Sequence, residues 1–210
     1  MIKRILQIKY GDTTIPESWI YAGGDPNIQK PIILSIFYIE TDNRKILVDT
    51  GCETMPGFIV QNFERPITVL KQRGITPDDI TDIILTHAHH DHIACTGYFP
   101  AATVHIQQEE YEAAKPYLLR NSFVDAFQDE MTPDANIRVI KIGGHSIGSC
   151  VVECEVESKT VVLCGDECYS DYNLIHSIPT AATYSAEKSA AFVKKYSQNM
   201  YVCMLCHKEF

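Results

Sequence analysis

The segment Thr86-His87-Ala88-His89-His90-Asp91-His92 places four imidazoles and one carboxylate within the six positions 87 to 92. Core packing explains such a cluster poorly, because each buried imidazole needs hydrogen-bond partners and protonating adjacent rings together is penalised. Metal ligation accounts for nearly all of it at once. Where a strand ends and turns into a helix, His87 and His89 point the same way, while Asp91 and His92 face the same cleft from its other side. One ion then receives imidazoles and its neighbour a carboxylate and an imidazole. His90 faces away from both, toward an outer partner or solvent. Nitrogen and oxygen donors without cysteine fit zinc, with manganese, cobalt or iron as alternatives. Isolated histidines such as His105 and His176 are read as satisfied core residues.

The elements that must position this cluster are short apolar runs ending abruptly in polar residues. Lys45-Ile46-Leu47-Val48 runs into Asp49-Thr50-Gly51, and Ile83-Ile84-Leu85 into Thr86-His87. Val161-Val162-Leu163-Cys164 runs into Gly165-Asp166, and Tyr201-Val202-Cys203-Met204-Leu205-Cys206 into His207. Such runs read as strands buried on both faces, with the polar residues at strand ends where α/β enzymes place their chemistry. Helices are expected over 54–73, broken near Pro66, over 107–120, and over 186–198 after a Ser185 N-cap. Alternation marks strands at 137–142 and 150–157, the second half-exposed, with Glu153, Glu155 and Glu157 on its outer side. The aperiodic 116–136 stretch reads as a helical excursion over the site.

The chain has 210 residues, 45% hydrophobic and 21% charged, which describes one soluble domain spanning 1–210. Its net charge of −9, from 18 basic and 27 acidic residues, argues against a nucleic-acid partner. The opening MIKRILQIKYGD has apolar stretches too short for a signal peptide or a membrane span, so a cytoplasmic protein without a membrane partner is expected. The eight scattered cysteines are read as small buried hydrophobes rather than a disulfide framework. Cys203-Met204-Leu205-Cys206-His207 could start a zinc knuckle, but a second closely spaced pair is missing, Cys164 and Cys168 being looser.

The H-x-H-x-D-H pattern after an apolar strand resembles the signature of the metallo-β-lactamase superfamily. The resemblance implies a four-layer αββα sandwich and a further ligand set in this chain. Gly144-His145-Ser146, Gly165-Asp166 and His207 are similar to the superfamily's later ligand positions, and Asp49 to its early supporting aspartate. By that analogy His87, His89 and His145 hold one divalent ion and Asp91, His92 and His207 a second, with Asp166 between them. Two such ions share a water whose pKa falls from about 15.7 toward about 7, so a bridging hydroxide is available for hydrolysis. Asp91 is then placed to carry a proton to the leaving group. His89 stands where the superfamily's redox branch usually has Glu, which favours hydrolysis.

Within the superfamily the best resemblance is to the N-acyl homoserine lactone lactonases. It rests on Pro31-Ile32-Ile33 through Glu40, on Gly74-Ile75-Thr76-Pro77-Asp78-Asp79-Ile80, and above all on Asp166-Glu167-Cys168-Tyr169. Those lactonases place a Tyr three positions after the bridging Asp, which implies that Tyr169 donates a hydrogen bond to the substrate carbonyl. Tyr169 also reads as a plain buried aromatic. Two departures stand out: Ser149 replaces the second His of G-H-x-x-G-H, and the chain is shorter than most such lactonases. Tyr98, Phe99, Tyr117, Leu118, Phe123 and Phe127 could wall a substrate pocket or fill the core. A glyoxalase II-like thioesterase, needing basic residues such as Lys194, Lys195 and Lys208, is the alternative enzyme. A non-catalytic metal-binding member is the other alternative. A thiol such as Cys168 would be redox-sensitive if its pKa were lowered.

Overall fold

The computed structural model describes residues 1–209. Its strands are β1 (Ile2–Pro16), β2 (Gln29–Thr41), β3 (Lys45–Val48), β4 (Asp82–Leu85), β5 (Thr103–Gln107), β6 (Phe123–Phe127), β7 (Glu130–Asp134), β8 (Ile137–Lys141), β9 (Cys150–Val156), β10 (Lys159–Leu163) and β11 (Tyr201–Met204). The helices are α1 (Glu17–Ile20), α2 (Pro66–Gln72), α3 (His90–Ile93), α4 (Tyr111–Ala114), α5 (Asp171–His176) and α6 (Ala186–Tyr196). One sheet runs β1-β2-β3-β4-β5-β6 and the other β11-β10-β9-β8-β7.

Period-2 alternation assigns each strand's side chains to two different cores. Phe37, Ile39, Ile46, Val48 and Ile84 of the first sheet meet Ile137, Val139, Val152, Cys154 and Leu163 of the second in one cluster between the sheets. The intervening Ile36, Tyr38, Leu47, Ile83 and Leu85 turn outward and are covered by Val69 and Leu70 of α2, Ile93 of α3 and Ala114 of α4. Val151 and Val162 on the outer face of the second sheet are covered by Phe192, Val193 and Tyr196 of α6. Helices, sheet, sheet and helices make the four layers of an αββα sandwich. Because both faces of the central strands are buried, their sequences are continuous apolar runs, as expected.

Several local expectations are corrected. In place of a helix over 54–73, only Pro66–Gln72 is helical, with Pro66 at the helix start, where its missing N–H is harmless. Residues 54–65 instead lie across β1, to which Gln61 bridges at Asp12. The 107–120 helix is one α-turn followed by a 3₁₀ turn containing Pro116. No helical excursion occupies 116–136: its residues supply β6 and β7, which pair with the open edges of β5 and β8. Pairing at a sheet edge decides that segment, where local periodicity is weak. β9 is not half-exposed at Glu153, because α6 covers it; Tyr196 donates to Glu153 at 2.8 Å and Lys195 pairs with it at 3.0 Å. α6 begins at the expected cap, Ser185 accepting the Lys188 N–H at 3.4 Å. Among the described residues no helix is long and apolar enough to cross a membrane.

Candidate metal centre

β4 delivers His87 and His89 from the loop at its carboxyl end, α3 delivers Asp91 and His92, and the loops after β8, β10 and β11 bring His145, Asp166 and His207. These segments converge at one end of the sandwich. His87, His89, His145 and Asp166 form one group whose donor atoms lie within 4.8 Å of one another, and His92, Asp166 and His207 form a second. Asp166 belongs to both. Its Oδ2 faces His145 Nε2 at 3.5 Å and His87 Nε2 at 4.0 Å, while its Oδ1 faces His92 Nε2 at 3.1 Å and His207 Nε2 at 2.9 Å. Asp91 stands beside the second group without joining it, its Oδ2 3.8 Å from His92 Nε2. Six of the seven expected ligands are therefore gathered closely and the seventh lies next to them.

The far nitrogens of these rings are already committed. His145 Nδ1 donates to the Ala182 carbonyl at 2.7 Å and His207 Nδ1 to the Ile33 carbonyl at 3.0 Å. His92 Nδ1 donates to Asp49 Oδ2 at 2.7 Å, and Asp49 is itself held by the Thr86 N–H at 2.8 Å. A carbonyl oxygen only accepts, so the Nδ1 proton of His145 leaves its Nε2 to present a lone pair, whereas His207 Nε2 lies on Asp166 Oδ1 at 2.9 Å. In the first group the inner nitrogens crowd together: His145 Nε2 and His87 Nε2 lie 2.9 Å and 3.0 Å from His89 Nδ1, and one ring proton cannot serve both contacts. Added protons are a poor remedy there, because burial and the neighbouring imidazoles hold His87 well below its ordinary pKa, and burial lowers His89. A cation satisfies the arrangement, and each committed Nδ1 orients its ring as a ligand's outer hydrogen bond does. The donor set fits divalent ions.

The second group differs electrostatically. Burial would lower His92 and His207, but Asp166 with Asp49 and Asp91 at His92, and Asp166 with the Ile33 carbonyl at His207, together outweigh it, so both favour positive charge. Asp166 is held well below the carboxylate range: burial opposes ionisation, and His92, His207 and His145 overcome it. Tyr169 stacks on His207 with ring centroids 4.8 Å apart and donates from its hydroxyl to Asp166 Oδ2 at 2.6 Å. Burial, then the Asp166 charge, raise its pKa well above the usual value, so it keeps its proton.

The site opens into a cleft of about 430 Å³ lined by His89, Asp91, His145, Asp166, Tyr169 and His207 together with an apolar wall. That wall comprises Trp19, Phe58, Met55, Ile15 and Ile32. None of the six aromatic and apolar residues weighed in the sequence lines it. Phe99, Leu118 and Phe127 are buried in the cores, Phe123 is exposed on β6, and Tyr98 and Tyr117 line a separate cleft beside His90. The available signal for the real wall was Trp19, the chain's single tryptophan.

His90 turns away from the donor groups, as expected, with its nitrogens at Tyr117 Oη and the Thr54 carbonyl. His105 is a satisfied buried residue between Asp82 and Asp125. His176 is not a core residue: it is exposed at the end of α5, its ring against Tyr172 at 4.2 Å. Among the described residues no thiol joins a metal-competent group, which removes the zinc-knuckle reading. Cys206 instead lies under the site with its thiol on the Gly165 carbonyl, and burial raises the Cys168 thiol rather than lowering it.

The model of the metallo-beta-lactamase superfamily matches residues 31–198. The chain belongs to that superfamily. It is a hydrolase of the fold. An N-acyl homoserine lactonase of Bacillus cereus is 27% identical over 225 aligned residues, covering 94% of this chain and 88% of the relative. One from Agrobacterium fabrum is 21% identical and covers 98% of this chain and 93% of its own. Among solved structures, a quorum-quenching N-acyl homoserine lactone hydrolase superposes with a TM-score of 0.86 at 24% identity, covering 99% of this chain and 93% of that one. Another, with N-hexanoyl-L-homoserine bound at its catalytic metal centre, gives 0.85 at 23% identity, with 99% and 94% coverage.

Proposed function

We propose that this chain, acting as one domain, opens the ring of a lactone of the N-acyl homoserine lactone type at a centre of two divalent ions. Zinc is the first choice, with manganese, iron or cobalt as alternatives. The observation that carries this reading is Asp166, whose two oxygens each face their own set of imidazoles at the floor of an apolar cleft. His87, His89 and His145 would hold one ion and Asp91, His92 and His207 the other, with Asp166 available to both.

When bound, such a pair supplies a water ionised near neutral pH and Lewis acidity for the substrate carbonyl. The chain's own groups do the rest. Asp49 and the Ala182 and Ile33 carbonyls hold the imidazoles in their ligating orientation. Tyr169, protonated and stacked on His207, turns its O–H from Asp166 to the carbonyl oxygen as negative charge develops there. Asp91, in the cleft wall, takes the proton left on the added hydroxyl and passes it to the ring oxygen as the C–O bond breaks. The product is the hydroxy acid. Trp19, Phe58 and Met55 receive the acyl chain, each buried CH₂ contributing about 0.8 kcal/mol.

The test is turnover of an N-acyl homoserine lactone, read by proton release, beside a thioester, a β-lactam and a phosphodiester. Selective lactone opening that is abolished by chelation and restored by divalent metal supports the proposal. Preferential thioester cleavage replaces the substrate class with the glyoxalase II-like alternative. Of the three lysines that alternative would need, Lys195 is engaged by Glu153 and Lys208 by Asp171.

A further inference from the structure

The first donor group draws its imidazoles from two loops that share no element: His87 and His89 follow β4, and His145 follows β8. Glu110, from outside both loops, binds them together. Its Oε2 accepts the N–H of Ala88, the residue between His87 and His89, at 2.9 Å. Its Oε1 accepts the Ser146 hydroxyl at 2.7 Å and the Gly148 N–H at 2.8 Å. Glu110 is 5% exposed, and all three of these donors are neutral. The packing is tight: a Cβ on Gly148 would clash with Gln107 Oε1 and meet Glu110 Cγ at 2.8 Å, so the absence of a side chain there lets both residues approach the loop. Two loops that must present nitrogens to one point with ångström accuracy are thereby referred to one buried anion.

We infer that Glu110 is a positioning residue: it fixes the spacing between the His87–His89 pair and His145, and so sets the affinity of the first ion site without touching ion or substrate. The inference rests on the proposal that these three histidines hold an ion. Ligand distances at zinc are confined to about 2.0–2.1 Å for imidazole nitrogen, so drift of one loop is felt directly in binding. Glu110→Gln keeps the shape but turns one acceptor oxygen into an NH₂ that meets an N–H or O–H head on, releasing one of the two loops. Glu110→Ala releases both, and Ser146→Ala removes a single bond.

The measurement is competition of the full-length protein against a chromophoric zinc chelator, which resolves the two affinities, together with thermal unfolding and kcat and KM for lactone opening. In Glu110→Gln one affinity falls roughly 10- to 100-fold, the range for loss of an outer hydrogen-bond partner, and the other is unchanged. The kcat at limiting zinc falls while KM holds, and Ser146→Ala gives a smaller loss at the same site. Unchanged affinities in Glu110→Gln overturn the inference. So does an equal loss at both sites that tracks a lowered unfolding midpoint, the signature of a merely structural residue. If Glu110→Ala does not fold, Glu110→Gln and Ser146→Ala carry the test. Zinc-free wild type overturns the metal-centre proposal and this inference with it, whereas two bound ions and an indifferent Glu110→Gln overturn the inference alone.

Discussion

Two clusters in this molecule place imidazoles on buried carboxylates, and they behave differently. Around His105, each ring nitrogen has its own acceptor, Asp82 at 3.0 Å and Asp125 at 3.1 Å, and Arg44 shares the same Asp82 oxygen at 2.6 Å. Ordinary protons satisfy that cluster. Around Asp166, the outer nitrogens of His92, His145 and His207 are already committed, and the inner ones face each other or a carboxylate. The difference is one of donor bookkeeping: a cluster whose donors match its acceptors is structural, and one with converging lone pairs calls for a cation.

The largest contrast comes from neutralising each cluster's shared carboxylate. Asp166→Asn removes charge from both ion sites, so metal affinity and lactone turnover fall by more than the roughly 10- to 100-fold that an outer partner costs. Chelator competition and steady-state kinetics measure both. Next in size, Tyr169→Phe removes one donor to the developing oxyanion; kcat falls about 10²-fold with KM little changed, and metal content stays that of the wild type.

The His105 cluster responds in stability instead. Burial would raise the Asp82 pKa, but His105, Thr81 and Arg44 outweigh it and hold it at about 2. The folded pKa is depressed, so the stabilisation is present above the unfolded value near 3.8 and is lost as pH falls through about 2. Asp82→Asn therefore loses about 2 kcal/mol at neutral pH, and the gap to wild type closes between about pH 4 and pH 2. Denaturant titration across that range reads it, and neutral-pH turnover is unchanged. The smallest effect is His176→Ala, on an exposed ring touching Tyr172, where stability moves by no more than about 0.5 kcal/mol and metal binding is unaffected.

The same contrast explains what the sequence made legible. Ligation demands particular side chains at strand ends, so His87, His89, Asp91 and His92 stand out beside an apolar run, and the resemblance they carry leads on to His145, Asp166 and His207. The central strands were legible for a related reason, since burial on both faces leaves unbroken hydrophobic runs, whereas the αββα layering came with the family resemblance. The cleft wall was not legible, because Trp19 on the single turn of α1 and Phe58 in an irregular segment reach it through placements that depend on contacts across the fold. Residues 116–136 were misread because β6 and β7 owe their strand state to partners at β5 and β8 rather than to their own pattern. Glu110 was invisible for another reason: it acts on the backbone N–H groups of Ala88 and Gly148, which every sequence possesses.

The most direct test of the account is elemental analysis of the protein purified without chelator, with N-acyl homoserine lactone opening followed on the same sample before and after metal is stripped and restored. The account predicts about two divalent ions per chain, as a two-metal site requires, and turnover that disappears and returns with them. Protein that neither holds nor rebinds metal, or that binds two ions and leaves the lactone intact, would contradict it.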